Sequence, residues 1–329
     1  MSQMPAAGLS YPGAVPLTIG QILDRVFRVF RARFWLFLRV SLVPSVILLI
    51  IYGALLGALY LAGFFPQPGH VADPQKVTSE FFPIVAGASL AIMGVMAFLE
   101  TATCFAALRT DAGLPVTARE ALGVVSGKLG RFVWLMILRM LIVFGPGMFC
   151  FALLAAVMVP ATHRTGNPHM AVAFVSLSVM VLLYLGWIVY AIFTMLRLAL
   201  SVPACLAENL TAVESLKRSL QLTKNAKGRI FLVLLVVYAA TYVAVFLLEI
   251  GMMVVGAAGM LLASLLPLHF APPWSYVALG AGVVVGMFIF SMFMAATWAL
   301  YATAFAVLYR DQRHRFEGSV FEWPAGEPA

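Results

Sequence analysis

The chain alternates long apolar runs with short basic stretches. Six runs stand out, at roughly 34–65, 81–108, 132–160, 170–206, 230–266 and 274–309. Each exceeds the roughly 20 residues that a spanning helix needs. None alternates apolar and polar residues as an outer-membrane barrel strand does, and over such lengths only a helix satisfies its own backbone within hydrocarbon. The pattern predicts an all-α membrane protein with six transmembrane helices. Some runs are too long for one upright crossing. Residues 230–266 would extend about 55 Å at about 1.5 Å per residue, against a hydrocarbon core of about 30 Å. That run should tilt, protrude or break, with Gly251, Gly256 and Gly259 as places to break. Pro44 and Pro146 should kink the first and third helices, because proline removes one backbone hydrogen bond and crowds the preceding turn. Gly53 with Gly57, and Gly282 with Gly286, form Gly-x-x-x-Gly pairs that permit close helix approach.

The polar stretches carry a second pattern. Thr18-Ile-Gly-Gln21, Thr117-Ala-Arg-Glu120 and Thr211-Ala-Val-Glu214 each match Thr-x-x-Glu/Gln. This is a capping box, in which the Thr hydroxyl and the acid or amide satisfy unpaired N–H groups at a helix start. Behind each cap, smaller or apolar residues recur at helical spacing: Ile22, Leu23, Val26, Phe27 and Phe30; then Ala121, Leu122, Val125 and Leu129; then Leu216 and Leu220, with Ser215 and Ser219 at matching places. Arg and Lys fill the other faces, as in a basic amphipathic helix at a membrane interface. The expected unit is an interfacial amphipathic helix followed by a transmembrane hairpin. It occurs three times, at about 17–109, 116–206 and 210–310, with a period of roughly 95 residues that gene duplication explains. A rough pseudo-threefold arrangement would follow. Residues 1–16, with neither positive charge nor apolar core, read as a flexible tail and not as a signal peptide. Residues 311–329 read as a second tail.

Composition supports lipid as the solvent: 63% of residues are hydrophobic and 10% charged, against about 25% charged in soluble domains. The formal net charge of +8 does not point to nucleic acid, because no polar stretch is long enough to fold into a binding domain. The basic residues set orientation instead. Arg25, Arg28, Arg31, Arg33, Arg109, Arg119, Lys128, Arg131, Lys217, Arg218, Lys224, Lys227, Arg229, Arg310, Arg313 and Arg315 all fall on one side, against Lys76 and Arg164 on the other. Both termini are therefore expected in the cytoplasm. Cys104, Cys150 and Cys205 lie within or beside apolar runs and read as small buried hydrophobes, not as a disulfide or metal framework.

With these units laid out, three stretches resemble a known family: Leu17 to Arg31 (LTIGQILDRVFRVFR), Arg197 to Ser219 (containing ENLTAVESLKRS), and Leu308 to Gly318 (LYRDQRHRFEG). Together they resemble the bacterial membrane domain named after glycerophosphoryl diester phosphodiesterase, over most of residues 17–318. The resemblance implies a six-span module of the bacterial plasma (inner) membrane, linked to lipid metabolism. The family takes its name from a soluble catalytic domain with paired histidines and metal-binding acids. No stretch here can hold that domain, so the phosphodiesterase activity does not carry over.

Five ionisable residues lie inside apolar runs: Arg39, Glu100, Arg139, Arg197 and Glu249. A charge at the bilayer centre costs about 2.5–3.5 kcal/mol on insertion scales. Arg39 and Arg139, near the cytoplasmic boundary, can snorkel to head groups. Glu100 lies deeper, and must be protonated, paired or in contact with water. Aligning the second and fourth spans by their cytoplasmic ends puts Arg197 at its depth, so a Glu100–Arg197 pair is expected. Glu249 should approach the outer surface. His70, His163, His169 and His269 fall in the external connections and His314 inside; convergence of the four would make a metal or pH site. No nucleophile elbow, metalloprotease helix or phosphate loop is present. Neither a cofactor nor a metal is expected. The leading expectation is a non-enzymatic module that acts as scaffold or regulator, or binds lipid through anionic head groups, with an unidentified membrane or cytoplasmic protein as a further partner. A transporter or permease is the alternative, and a membrane-embedded lipid hydrolase or transferase a third.

Overall fold

The computed structural model describes residues 17–62, 64, 77–165, 170–265 and 274–318. It is all-α: among the described residues there is no strand. The helices are α1 (Ile19–Ala32), α2 (Phe34–Leu61), α3 (Phe82–Asp111, entered through a π-helical turn at Val77–Phe81), α4 (Ala118–Gly127), α5 (Leu129–Thr165), α6 (Met170–Leu198), α7 (Ser201–Ala207), α8 (Ala212–Thr223), α9 (Lys227–Leu265) and α10 (Trp274–Glu317). Among the described residues six segments are long and apolar enough to cross a membrane: Phe34–Leu61, Ser79–Asp111, Leu129–Leu154, Leu177–Ala207, Lys227–Gly259 and Val284–Glu317.

The three threonines stand at helix starts. Thr18 and Thr211 form reciprocal boxes with Gln21 and Glu214, and hydrogen bonds from the Thr211 side chain and backbone hold the Glu214 carboxyl below its usual range. Thr117 accepts from the Glu120 amide. The Glu120 carboxylate, however, pairs with Arg109 at 2.6 Å and so joins α4 to the end of α3. Residues four and eight positions after each cap are buried in all three helices: Ile22 and Val26, Ala121 and Val125, Ser215 and Ser219. These buried faces pack on protein, with α1 against α10 and α9, α4 against α3, and α8 against α7 and α6. Leu129 begins α5 instead of closing α4.

Consecutive spans pair as three hairpins, α2–α3, α5–α6 and α9–α10, but the joints between hairpins are unequal. The tightest joint sets α10 against both α2 and α3. Small side chains allow it: Ala97, Ala102, Ala106 and Ala107 on α3 and Ala295, Ala299, Ala302 and Ala306 on α10 are all buried. Small residues let helix backbones approach where lipid offers no hydrophobic drive to associate. Alanine, not Gly-x-x-x-Gly, makes this contact: a Cβ on Gly53, Gly57 or Gly282 would meet nothing within 4 Å, and Gly286 is approached from α9 instead, where its Cβ would meet Met252 Cε at 3.3 Å. Beside Pro44, Ser41 Oγ donates to the Ala295 carbonyl at 3.2 Å and Ser291 Oγ to the Ser45 carbonyl at 3.4 Å. A second joint packs α3 on α5. At the third, α6 and α9 touch only sparsely.

Both expected kink positions lie inside continuous helices, α2 through Pro44 and α5 through Pro146. Pro146 leaves the Ile142 carbonyl without its helical donor, and the Tyr190 hydroxyl of α6 supplies one at 2.8 Å. At the next carbonyl, that of Val143, Trp187 Nε1 of α6 donates at 3.2 Å. The indole thereby lies over Gly147, where an added Cβ would sit 2.5 Å from Trp187 Cδ1. Gly147→Ala should therefore destabilise the protein by about 1–3 kcal/mol, the usual penalty of overpacking. In a Trp187→Leu background the same change should have little further effect; thermal unfolding of the four proteins in one detergent checks this.

The run at 170–206 is not a single helix. It breaks at Ala199–Leu200, ahead of Pro203, whose missing N–H cannot reach back to Ala199. The third amphipathic helix seals the break. Ser219 Oγ donates to the Arg197 carbonyl at 2.8 Å and accepts from the Leu200 amide at 3.2 Å, while Thr223 Oγ1 reaches the same Arg197 carbonyl at 3.2 Å. This is why α8 carries serine where α1 and α4 carry aliphatic residues. By contrast, the run at 230–266 does not break at its glycines: α9 passes through Gly251, Gly256 and Gly259 as one helix.

The C-terminal boundary also differs from expectation. Hydropathy ends the membrane domain at 310, yet α10 continues to Glu317, and the Asp311 side chain is fully buried. The polar sequence after Tyr309 is packed because its charges have partners.

Candidate functional site

Two groups of charges are buried, at different depths. The shallower lies where α1, α4, α7 and α8 close one end of the bundle. Asp111, the last residue of α3, has a side chain with no exposure; Arg25 of α1 bonds its Oδ1 and Arg310 of α10 its Oδ2 at 2.7 Å. Arg25 also donates to the Asp111 carbonyl at 3.0 Å. Asp311 receives Arg315 at 3.0 Å, Arg229 at 3.3 Å and the Leu17 amide at 2.9 Å. The Leu17 carbonyl in turn accepts from Arg229 and from Arg315 at 2.8 Å. Glu208 takes Arg218 at 2.9 Å and the Tyr309 hydroxyl at 2.6 Å. An acid thus closes α3 and α7, and a third lies in the last two turns of α10. A carboxylate at a helix C-terminus meets the negative end of the helix dipole and requires cations. Arginines that serve as orientation signals in sequence are here committed to these acids, and they tie Leu17, α9 and α10 together.

The deeper group is the candidate site. Glu100 lies 11 residues before Asp111, about 16 Å along α3 at the helical rise. Arg139 lies 10 residues into α5, about 15 Å by the same measure. The two are therefore level, and Arg139 Nη1 donates to Glu100 Oε1 at 2.7 Å. Glu100 is 8% exposed and Arg139 21%. Arg197 does not pair with Glu100: its side chain is exposed at the end of α6, and α3 packs along α5 and α7 instead of along α6. Depth could be read from the sequence, but the facing of each helix could not. For the same reason Arg139 is held inside the protein and does not snorkel. Arg39 and Glu249 are exposed, on α2 and α9. His70, His169 and His269 lie outside the described residues, as does the side chain of His163.

The pair forms one wall of a cleft of about 580 Å³ that opens where α6 and α9 fail to close. The lining comes from α3, α5, α6, α9 and α10, together with Ala199 at the break, and is otherwise uncharged. Phe144, Phe231, Tyr238, Trp298, Tyr301 and Phe305 give it an aromatic surface. Its volume falls in the range of small-molecule sites, which are apolar with a few convergent polar groups. Among the described residues no group of three or more His, Cys, Asp and Glu is placed to hold a metal ion. Cys104, Cys150 and Cys205 are free thiols. Six apolar helices mark the chain as an integral membrane protein. Compared with protein-family models, with curated proteins and with solved structures, the chain has no match in any of the three.

Proposed function

We propose that this is a lipid-binding module of the bacterial plasma membrane with both termini in the cytoplasm, and that it acts by holding an amphiphile in the cleft between the α5–α6 and α9–α10 hairpins. One observation carries the reading: a cleft of about 580 Å³ with apolar and aromatic walls has, among the described residues, its single charged feature in the Glu100–Arg139 pair. An apolar chain suits the walls, and a polar group near its end suits the pair. The exposed basic residues at the closed end, Arg28, Arg31, Arg33, Arg119, Lys128, Lys217 and Lys224, suit anionic head groups, each worth about 1 kcal/mol near a charged leaflet. The shared +4 and +8 positions of the three capped helices favour descent from a duplicated unit. The resemblance to the phosphodiesterase-associated membrane domain agrees with a role in lipid handling without catalysis.

The test is to fill the cleft. Leu235 and Met195 line it and are 47% and 52% exposed, so tryptophan there occupies space without disrupting a packed core. Wild type and Met195→Trp/Leu235→Trp are extracted with their surrounding membrane in polymer nanodiscs, and the lipids of each are quantified. A lipid species enriched with wild type and lost from the variant is expected; identical lipid complements would refute the reading. The transporter alternative draws on a charged pair near mid-span and a broken fourth helix, features that also line substrate paths. It would be favoured if flux across proteoliposomes required Glu100.

A further inference from the structure

We infer that the cleft selects an uncharged amphiphile, one whose carbonyl, ester or hydroxyl oxygens accept from Arg139. Resting on the reading of the cleft as a lipid site, the inference adds the class of head group. Glu100 and Arg139 neutralise each other, and among the described residues no other charged side chain lines the cleft. A phosphate or carboxylate entering it would be a buried anion without a counter-charge, which is strongly disfavoured where water is scarce. Arg139 nevertheless has capacity to spare. A guanidinium carries five N–H donors, and among the described residues Arg139 makes one hydrogen bond, to Glu100. Its remaining donors can meet neutral oxygens at no net charge.

Depth gives the same answer. The pair lies about 15 Å along its helices from the closed end, well below the level at which phospholipid phosphates sit at the surface of a core about 30 Å thick. A charged head group would have to leave water to reach it. An acylglycerol or a quinone carries its oxygens into the hydrocarbon at little cost. The basic residues that could accompany an anion, Arg39 and Arg197, have exposed side chains and do not line the cleft.

The experiment compares two lipids with identical chains. Full-length protein in phosphatidylcholine nanodiscs is titrated with diacylglycerol or with phosphatidate, both bearing brominated oleoyl chains. Quenching of Trp298, which lines the cleft, is isolated by subtracting the signal of Trp298→Phe. Diacylglycerol should quench at a concentration at least about tenfold lower than phosphatidate. Glu100→Gln leaves Arg139 with its charge uncompensated and should reverse that order. Equal or tighter binding of phosphatidate by wild type would overturn the inference and leave the lipid site intact. Quenching by neither chain would overturn the lipid site and the inference together.

Discussion

Glu100→Leu should destabilise the protein by about 3–5 kcal/mol, because it strands the Arg139 guanidinium in an apolar cleft; Arg139→Leu should do the same by stranding the carboxylate. The pair is largely removed from solvent, with side-chain exposures of 8% and 21%, so the penalty is only slightly softened by water. The double replacement should lose much less than the sum, since an apolar pair of similar volume often substitutes for a buried ion pair. Reversible unfolding in a fixed detergent, on all four proteins, yields the coupling. Glu100 and Arg197 should show none, as Arg197 contributes only its carbonyl, and that to Ser219 and Thr223. Additivity between Glu100 and Arg139 would remove the pair from the account.

The second large effect lies at Asp111. Its carboxylate is fully buried between Arg25 and Arg310, and Asp111→Ala removes the anion that these two guanidinium groups share. Removing one partner of a buried charge pair typically costs about 3–5 kcal/mol, and here one change breaks two such pairs. The expected outcome is loss of the folded protein from the membrane at growth temperature. Asp111→Asn keeps one side-chain acceptor but sets an NH2 group against the other arginine and removes the charge, so it should retain little more protein than Asp111→Ala. A triple change that also replaces Arg25 and Arg310 with Leu and Met should recover part of the loss. Steady-state abundance and monodispersity of the four proteins on size exclusion are the measurement. Wild-type abundance of Asp111→Ala would show that the network is dispensable.

The six spans and the three capped helix starts could be read directly. Apolar runs of spanning length and Thr-x-x-Glu/Gln boxes are local patterns, and local hydrogen bonding is sufficient to produce them. What could not be read depends on which faces meet. Glu100 is level with both Arg139 and Arg197, and only the packing of α3 on α5 decides between them. The buried aspartates escaped notice because a charge at the end of an apolar run looks solvated. The recurrence of an acid near the end of every second span, at Asp111, Glu208 and Asp311, in a chain with few acids was the available signal. Glycine pairs suggest close helix packing, but of the four glycines only Gly286 is closely approached, by Met252, and alanines on α3 and α10 line the tightest joint. Pro203 marked the break in the fourth span, and the serines of α8 marked what covers that break. Each is unremarkable until the two are placed side by side.

The cleft, and a lipid chain within it, is the centre of the account. A cryo-electron microscopy map of the full-length protein in its native lipids tests it most directly. Elongated density is expected between α5–α6 and α9–α10, in contact with Phe144, Tyr238 and Trp298, with its polar end at Arg139. Hairpins closed on each other with side chains filling the space, or a water-filled path running past Glu100 to both membrane surfaces, would contradict it.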